Sequence, residues 1–435
     1  MTKWKGTKVV RKAGSYPTSP TDGVLIMDNQ TRNAYSTTGF VDSGLTNGTP
    51  YYYQLFPYSE KNAYNTNTIN QLTCIPNPYA VFGVRIALGN SNPSNSVIYT
   101  DESRFLTPES SWDSQPIFRD IKPCVLKDGV VQYYLQPNNF ALKEDGSVAD
   151  ITSGADGDVM IEFPKTGLSI TTVDNSIQIL ITDEPSNPTF KYYAHSRETD
   201  GDREKLYYGA FLGFELNGKL RSLSGKAPTK STTVTKFREL ATANGAGYDM
   251  VSFYPLLLLQ CLYILRFKDL NSQTAIGAGT TDYTSVINTG QYNDGGMYKK
   301  NSSKTWGAIK CHGVEDLWGN LEENVEGVFI DSSNYIYTAF QNFNNSGDGY
   351  TRHDVKGGVS GLMSKPAGTT ETGFIARETN GSESTYFCDS TSSKPGTAIR
   401  FGGDYNSVKS AGIFAVKTST VILGSNNVGA RLMYL

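Results

Sequence analysis

The first part of the chain alternates short apolar segments with turn-forming residues. Thr7–Arg11 and Val24–Met27 are rich in β-branched and apolar residues, and Ser15–Gly23 between them is rich in serine, proline and glycine. This pattern is typical of strands joined by tight turns. The aromatic run Tyr51–Phe56 predicts a further strand. We therefore expect a small all-β module at residues 1–75.

A proline-containing joint at 74–78 separates this module from a longer unit at 76–435. The first part of that unit, 76–200, is predicted to be a β-rich lead-in. Its predicted strands are Val81–Leu88, Val130–Leu135, Met160–Phe163, Ile177–Thr182 and Phe190–Ala194. The rest, 201–435, combines two predicted helices with short strands and many long loops. The fold class expected from this pattern is α+β, rich in strands and loops.

Two segments of the second unit predict α-helices. Thr235–Asn244 has an amphipathic pattern and is followed by glycines. Leu256–Phe267 is apolar nearly throughout, with Ser252 as its candidate N-cap and Pro255 in its first turn. This segment is shorter than the roughly 20 apolar residues that cross a bilayer, and it contains glutamine and arginine side chains. The pattern therefore predicts a buried core helix and no membrane insertion.

The composition excludes several classes of protein. Lysine and arginine number 39, and aspartate and glutamate 42, which leaves a net charge of −3. No overall positive field would therefore attract nucleic acid or an anionic membrane. The 27 tyrosines and 20 phenylalanines stand in a background rich in Gly, Ser, Thr and Asn, which favours strands and loops. Because the amino terminus has no apolar stretch typical of a secretory signal, we expect the chain to be made in a reducing cytoplasm.

The residues that bind metals or form disulfides are sparse and scattered. His195, His312 and His353 are far apart in sequence, so a histidine-built metal centre is not expected. The five cysteines include no CxxC pair, which argues against a zinc ribbon or a disulfide framework. The loop 150–158 holds three aspartates but lacks the alternating order and closing glutamate of a calcium loop. We expect a solvated turn there and no cofactor.

Four groups of motifs in the second unit carry the most specific information. Gly313–Val325 reads GVEDLWGNLEENV, Arg400–Tyr405 reads RFGGDY, and Val428–Leu432 reads VGARL. Upstream, Tyr207–Phe211 and Leu223–Lys226 have the character of a strand and a turn before the helix pair. In this order the motifs resemble those of the C-type-lectin-like fold in its formylglycine-generating-enzyme variant. The resemblance implies that fold for the second unit.

Elementary chemistry assigns structural roles to the residues of these motifs. The glycine pair 402–403 lets the backbone turn where a Cβ atom would clash. Trp318 is expected in the core, and Gly319–Asn320 combines tolerance of positive φ with an amide that can bond its own turn. Arg431 is predicted to be a buried donor to loop carbonyls or to one of the glutamates at 322–323. Each of these roles is structural, not catalytic.

The resemblance includes enzymes, and this chain departs from them. Formylglycine-generating enzymes use a redox-active cysteine pair near the carboxyl end of the fold, and their relatives in thiol-histidine biosynthesis use a clustered metal site. Here the only late cysteine is Cys388. Cys311 and His312 are neighbours that would point to opposite faces of a strand, so they would not meet as nucleophile and base. We expect no enzymatic activity, with an oxidoreductase or metal-dependent enzyme of the same fold as one alternative.

Other proteins of this fold variant are phage receptor-binding proteins whose carboxyl-terminal loops vary under the control of a diversity-generating retroelement. The segment 401–431 is similar to such a variable region, because glycines and aromatic residues alternate there with positions of mixed chemistry. In that family the variable positions derive from adenine-rich codons. The resemblance implies ligand-binding residues at Asp404, Tyr405, Asn406, Ser407, Val408, Ile413, Ala415 and Ser419.

The amino-terminal module resembles a different phage component. Leu45–Phe56, in which a leucine and a turn precede a tyrosine-rich strand, is similar to the end of a fibronectin type III domain, with Tyr51 as the corner tyrosine. The similarity covers about five of the seven strands of such a sandwich. The aromatic residues of any antiparallel strand would explain the same run. In phage tails such modules act as spacers or docking units.

Together these resemblances imply a receptor-binding protein of a phage or prophage tail, assembled in the bacterial cytoplasm without a signal peptide and carried on the virion. Its partners would be a bacterial cell-surface protein or glycan and other tail or baseplate proteins, with no nucleic acid. A homotrimer would raise the avidity of such a surface by roughly two to four powers of ten. A structural baseplate or fibre component without its own ligand is the alternative from a different class.

Overall fold

The computed structural model describes residues 3–36, 39–197, 200–300, 307–419 and 424–435. The chain forms two compact units, one ending at Ala80 and the other beginning at Val81. The boundary that the sequence predicts, at 75–76, lies within the last residues of the first unit. Strands dominate both units, and helices are few. The strand-rich class expected from the sequence is therefore confirmed.

The first unit is an antiparallel sheet of four strands in the order β2-β1-β3-β4. Its strands are β1 Trp4–Ala13, β2 Val24–Asn29, β3 Tyr51–Ser59 and β4 Gln71–Cys74. The three strands predicted here are confirmed. The backbone N–H of Thr46 donates to the hydroxyl oxygen of Tyr51 at 3.1 Å, which is the upstream backbone contact expected of a corner tyrosine.

The sandwich expected for this unit is not what the described residues form. Between β2 and β3 they form turns and irregular chain, so the unit has one sheet where a sandwich needs two. Local side-chain bonds hold this connection. The carboxylate of Asp42 accepts from Arg11 at 2.8 Å and from the Tyr53 hydroxyl at 2.9 Å. The connection is therefore tied to the sheet by polar contacts, without ladder bonds of its own.

The second unit consists of short strands separated by turns. Before the helices it has β5 Val81–Ala87, β6 Val97–Asp101, β7 Lys122–Lys127, β8 Val130–Gln136, β9 Asn139–Lys143, β10 Asp158–Pro164, β11 Gly167–Val173, β12 Ser176–Thr182, β13 Lys205–Gly209, β14 Phe214–Leu216 and β15 Lys219–Arg221. Later strands are β16 Tyr248–Met250, β17 Lys310–Cys311, β18 Val314–Glu315, β19 Glu322–Val325, β20 Val328–Ile330, β21 Tyr335–Thr338, β22 Thr351–Lys356, β23 Ser360–Leu362, β24 Lys365–Pro366, β25 Ala376–Glu378, β26 Ser390–Ser392, β27 Ala398–Phe401, β28 Val416–Ser419, β29 Val428–Ala430 and β30 Leu432–Tyr434. Four of the five predicted lead-in strands are thereby confirmed.

The fifth predicted strand, Phe190–Ala194, is wrong. Lys191 forms only an isolated bridge with Leu168, and a single 3-10 turn follows at Tyr193–His195. The reason is turn chemistry just upstream. The side-chain oxygen of Asn187 accepts a hydrogen bond from the N–H of Thr189 at 2.9 Å. The backbone carbonyl of Asn187 accepts one from the N–H of Phe190 at 3.0 Å. This local bonding competes with extension of the chain into a sheet.

Both predicted helices are present. They are α1 Val234–Thr242 and α2 Phe253–Phe267, and a short α3 Ser272–Ala275 follows. Every residue of α2 is buried, which confirms the predicted core helix. Ser252 precedes it as predicted, but its hydroxyl makes no capping bond. In the part of the chain described, no helix is long and apolar enough to cross a membrane.

The two largest sheets bring distant parts of the chain together. A seven-stranded sheet has the order β16-β30-β13-β10-β7-β8-β9, and a six-stranded sheet has the order β23-β26-β28-β27-β19-β29. In the second of these, β19 pairs antiparallel with β27 and parallel with β29, so three motifs lie on neighbouring strands. The final strand, β30, pairs with β13 of the upstream motif. The motifs are therefore contiguous in the fold.

Candidate functional site

Arg431 ties the motifs together from inside the protein. Its side chain is fully buried, and its guanidinium donates to both carboxylate oxygens of Glu323, from Nε at 2.9 Å and from Nη2 at 2.7 Å. It also donates to the carbonyls of Gly209, Glu315 and Asp316, at 3.2, 3.0 and 3.2 Å. The predicted buried donor is confirmed, and its carboxylate partner is Glu323. Three segments of the chain are thus held around one cation.

The segment around Trp318 forms a tight turn in the protein interior, as predicted. Trp318 is fully buried and donates from its indole nitrogen to the carbonyl of Gly277 at 3.1 Å. Gly319 has φ +85°, and a Cβ atom there would lie 2.7 Å from the carbonyl oxygen of Thr280. Asn320 has φ +63°, and its side chain bonds the backbone of Ile287 in both directions, at 3.0 and 3.1 Å. Only a glycine followed by a residue tolerant of positive φ fits this close approach.

The glycine pair at 402–403 begins the carboxyl-terminal loop. Both residues have positive φ, and a Cβ atom on Gly403 would lie 2.7 Å from the Cβ of Ala411. The N–H of Gly402 donates to the carbonyl of Ala415 at 2.9 Å. The chain therefore leaves the scaffold at this pair and returns to it about a dozen residues later, closing a compact loop.

The structure divides the eight predicted ligand-binding residues into two groups. Asn406 and Val408 are exposed, and Tyr405, Ser407 and Ser419 are partly exposed. The other three are buried: Asp404 at 6% exposure, Ile413 at 0% and Ala415 at 2%. The expectation that these three side chains face outward is therefore wrong.

Ile413 and Ala415 are buried because their segment crosses the core helix. The carbonyl of Ile413 accepts from Nε2 of Gln260 in α2 at 2.7 Å, and its N–H donates to the hydroxyl of Ser272 at 3.1 Å. Phe414 between them packs against Phe374 and Phe387, with ring centroids 5.0 and 5.2 Å apart. This segment is part of the core, so neither Ile413 nor Ala415 is available to a ligand.

Asp404 is buried because it caps the turn that follows it. Its Oδ1 accepts from the N–H of Asn406 and from the hydroxyl of Ser407, both at 2.9 Å, and its Oδ2 accepts from the side-chain amide of Asn427. A carboxylate used in this way holds the loop in shape. Asp404 positions its neighbours and does not present its own side chain.

The exposed part of the loop, Tyr405–Ser410, is named here the display loop. Its backbone is hydrogen-bonded to the scaffold at several points. The N–H of Tyr405 donates to the backbone carbonyl of Asn320 at 3.1 Å, and the N–H of Val408 donates to the backbone carbonyl of Thr281 at 2.8 Å. Gln273 donates to the carbonyl of Val408 at 2.9 Å. These bonds occupy the main chain and leave side chains free to face solvent.

Val408 has an unusual backbone. Its φ is +50°, a left-handed conformation that a β-branched side chain adopts only under strain. The bonds of its N–H to Thr281 and of its carbonyl to Gln273 hold it there. Strained residues of this kind are concentrated at functional sites. The strain marks the display loop as a locally constrained region, a feature that sequence reasoning did not detect.

The cysteines and the histidine considered as candidate catalytic groups, Cys311, Cys388 and His312, are buried. Cys311 and His312 are fully buried, and Nδ1 of His312 lies 2.8 Å from the hydroxyl of Tyr298. Burial raises the pKa of the Cys311 thiol and lowers the pKa of His312 to about 3. Cys388 is also buried, and burial raises the pKa of its thiol to about 12. At neutral pH the thiols of Cys311 and Cys388 are therefore protonated, and the imidazole of His312 is neutral.

Acidic residues elsewhere form structural contacts. In the loop 150–158, Asp150 accepts from the N–H groups of Thr152 and Ser153, at 3.1 and 2.9 Å, so it caps its own turn. Asp158 instead begins β10 and pairs with Arg221 at 2.9 Å. Among the residues that the structure describes, no group of three or more His, Cys, Asp or Glu side chains is arranged to hold a metal ion.

Neither a scan against protein-family models nor a search of the curated proteins returns a match to this chain. The family resemblances stated from the motifs therefore stay predictions.

Proposed function

We propose that this chain is a receptor-binding protein of a phage or prophage tail, and that the display loop binds a ligand on the bacterial surface. The observation that carries the proposal is the contrast within one short stretch. An exposed turn of mixed chemistry, Tyr405–Ser410, stands between the buried segments 401–404 and 411–416. A recognition surface is expected to have this arrangement, in which a rigid scaffold supports an exposed turn of mixed side chains.

The finer fold assignment belongs to the same proposal. A C-type-lectin-like domain of the formylglycine-generating-enzyme type is supported by the interior positions of its motif residues. Arg431 and Trp318 are fully buried, and three motif strands are neighbours in the six-stranded sheet. Motif residues that pack together in this way specify a framework, which leaves the turn after Gly403 free to differ between related proteins under retroelement control.

The side chains of the display loop suit recognition. Tyr405 offers aromatic area with a polar tip at low entropic cost, and Asn406 and Ser407 offer adaptable hydrogen bonds. Lys409 adds a positive charge, which lies 3.2 Å from the carboxylate of Glu383. A face of this size binds weakly as one copy, so display of several copies on one virion would supply the avidity.

The first unit fits the accessory role of a spacer or docking module for other tail or baseplate proteins. Several large apolar side chains of its sheet and of the turn that follows are exposed. Among them, Leu72 is 61% exposed and Ile75 is 58% exposed. Exposed apolar residues that lie close together mark surfaces for protein partners.

An attachment assay tests the proposal. The double variant Tyr405→Ala and Asn406→Ala should reduce attachment of the purified chain to host cells by at least tenfold, because it removes the aromatic ring of the loop and an exposed amide beside it. The matched control is Asn95→Ala, which changes an exposed asparagine in another loop of the same unit. Thermal unfolding should be unchanged in both proteins.

Unchanged attachment of the double variant, with normal unfolding, would contradict the proposed role of the display loop. That outcome would favour a structural baseplate or fibre component. Loss of attachment in the Asn95→Ala control as well would show that the assay reports something other than the loop.

A further inference from the structure

A polar cavity of about 340 Å³ lies beside the display loop. Its wall includes Asn271, Gln273, Glu383, Ser384, Asp389 and Lys409. Its volume falls at the lower end of the range of small-molecule sites, about 300–1,000 Å³. Because Lys409 belongs to both, the cavity and the display loop share one wall.

Asp389 is the unusual group in this wall. It is 1% exposed, and its Oδ2 accepts from the backbone N–H of Phe414 at 2.7 Å. Within the described part of the chain, its Oδ1 accepts no hydrogen bond, and no basic side chain pairs with it. Burial raises the pKa of this carboxyl well above its ordinary value, and a hydrogen bond donated to Oδ1 would lower the pKa again by stabilising the charged form. A buried carboxyl with an open acceptor is costly unless another group satisfies it.

The carboxyl is held in place by the carboxyl-terminal loop itself. A Cβ atom on Gly412 would lie 2.1 Å from Oδ1 of Asp389, so only glycine lets the loop close over the carboxyl. Phe414, two residues later, donates to the other oxygen. The acceptor is thus fixed in position before any ligand arrives, which reduces the entropic cost of binding.

A second acceptor is available in the same wall. Nε2 of Gln273 donates to the carbonyls of Val408 and Ala411, at 2.9 and 2.7 Å, which fixes the orientation of the amide. Its Oε1 accepts no hydrogen bond from the residues described. The wall therefore combines fixed acceptors with the hydroxyl of Ser384 and the ammonium of Lys409.

We propose that this cavity binds one saccharide unit of a bacterial surface glycan, with Oδ1 of Asp389 accepting a hydrogen bond from a sugar hydroxyl. A sugar ring carries several hydroxyls that donate and accept within a small volume, which matches a wall of carboxyl, amide, hydroxyl and ammonium groups. The glycan as its source rests on the proposed attachment function.

Other ligand classes fit the wall less well. An anion would meet the carboxyl groups of both Asp389 and Glu383. A metal ion would need more ligands, and the described residues contain no arrangement of three or more metal-binding side chains. An apolar ligand would leave the polar wall without hydrogen bonds. A neutral polyol is the class that leaves fewest groups unsatisfied.

The test is a saturation-transfer NMR titration of the full chain with five probes: glucose, galactose, rhamnose, N-acetylglucosamine and N-acetylgalactosamine. At least one should bind saturably in the millimolar range. Asp389→Asn keeps the size of the side chain and the acceptor for Phe414 but replaces the open acceptor with a donor, so it should weaken that binding at least tenfold. Glu383→Gln should weaken it by a smaller factor, because its side chain is half-exposed.

The matched control is Glu144→Gln, an exposed carboxylate in another turn of the same unit. It should bind the probe as the unaltered chain does. Absence of binding by all five sugars would overturn the proposal, and so would equal binding by Asp389→Asn and the unaltered chain. If Asp389→Asn fails to fold, Glu383→Gln carries the test, and its unchanged affinity would count against the cavity.

The two proposals can fail separately. Sugar binding that depends on Asp389, together with normal attachment of the Tyr405 and Asn406 double variant, would support the cavity and contradict the display loop as the attachment site. Attachment that depends on the display loop, with no sugar bound, would contradict the cavity alone.

Discussion

The display loop, Tyr405–Ser410, and the segment that follows it, 411–416, are adjacent in sequence and opposite in environment. Every residue of 411–416 is buried, whereas Asn406 and Val408 are exposed. Both are anchored through their backbones to the same neighbourhood, α2 and the chain after it. The difference teaches that the loop is held mainly by its main chain, while the following segment is held by its main chain and also by its buried side chains.

The scaffold side of this comparison should give the largest effect. Arg431→Met leaves the carboxylate of Glu323 buried without its cation and three carbonyls without a donor. We expect the free energy of unfolding to fall by about 3–5 kcal/mol in a denaturant titration. Arg119→Met, at an exposed arginine, is the control and should change it by less than about 1 kcal/mol. A loss below about 1 kcal/mol for Arg431→Met would refute the central role given to this cation.

A matched pair of truncations tests the comparison directly. Ile413→Ala removes a fully buried side chain and should cost about 2–5 kcal/mol of unfolding free energy, because it leaves a cavity against the core. Val408→Ala, in the display loop, should cost less than about 0.5 kcal/mol. Equal losses for the two variants would mean that the loop and the segment are not held in different ways.

Acid should weaken the scaffold through its buried imidazoles. Burial lowers the pKa of His195 and of His312 to about 3, whereas the unfolded chain titrates at about 6.5. Below about pH 6.5 the unfolded state therefore binds protons that the folded state does not, and stability falls as the pH falls. At pH 5 each histidine contributes about 2 kcal/mol of this loss.

Buried carboxyls act in the opposite direction, since burial raises the pKa of Asp316 to about 8. Its folded form holds a proton that the unfolded form releases, so its contribution is largest below about pH 4 and is lost as the pH rises toward 8. The histidine effect must therefore be measured by difference. The decrease in unfolding free energy from pH 7 to pH 5 should be about 2 kcal/mol smaller in His312→Gln than in the unaltered chain. An identical decrease would show that His312 is not neutral in the folded protein.

The smallest effect should come from the strained turn. Val408→Asn places a residue that tolerates left-handed backbone at φ +50°, and we expect a gain of about 1 kcal/mol in the free energy of unfolding. Val130→Asn, at an exposed valine in strand β8, is the control and should bring no gain. Destabilisation by Val408→Asn would show that the valine side chain itself is needed at this position.

Much of the secondary structure follows from local pattern. The strands around Val9, Val84 and Ile179 and the helix that contains Leu258 are predicted correctly, because alternation or continuous apolarity decides the burial of these residues. The strand predicted at Phe190 is absent, because the side chain of Asn187 makes a turn that apolar pattern does not reveal.

The candidate site was predictable only in part. The glycine pair at 402–403 locates the start of the loop, since positive φ is a local property that glycine makes accessible. The role of Asp389 is not local, because its partner is Phe414, and Asp404 adds a distant partner, Asn427, to the turn that it caps. No spacing along the chain indicates that either carboxyl would be buried.

By itself the sequence determined seven of the eight strands predicted from it, both longer helices, and the combination of glycine turns with mixed side chains in the carboxyl-terminal stretch. Tertiary structure alone decided which of those side chains face outward. Val408 and Ile413 are both β-branched and apolar, yet one is exposed and the other is buried. The physical reason is that burial depends on what packs against a residue. The helix that covers Ile413 contacts it through Gln260, which lies 153 residues earlier in the chain.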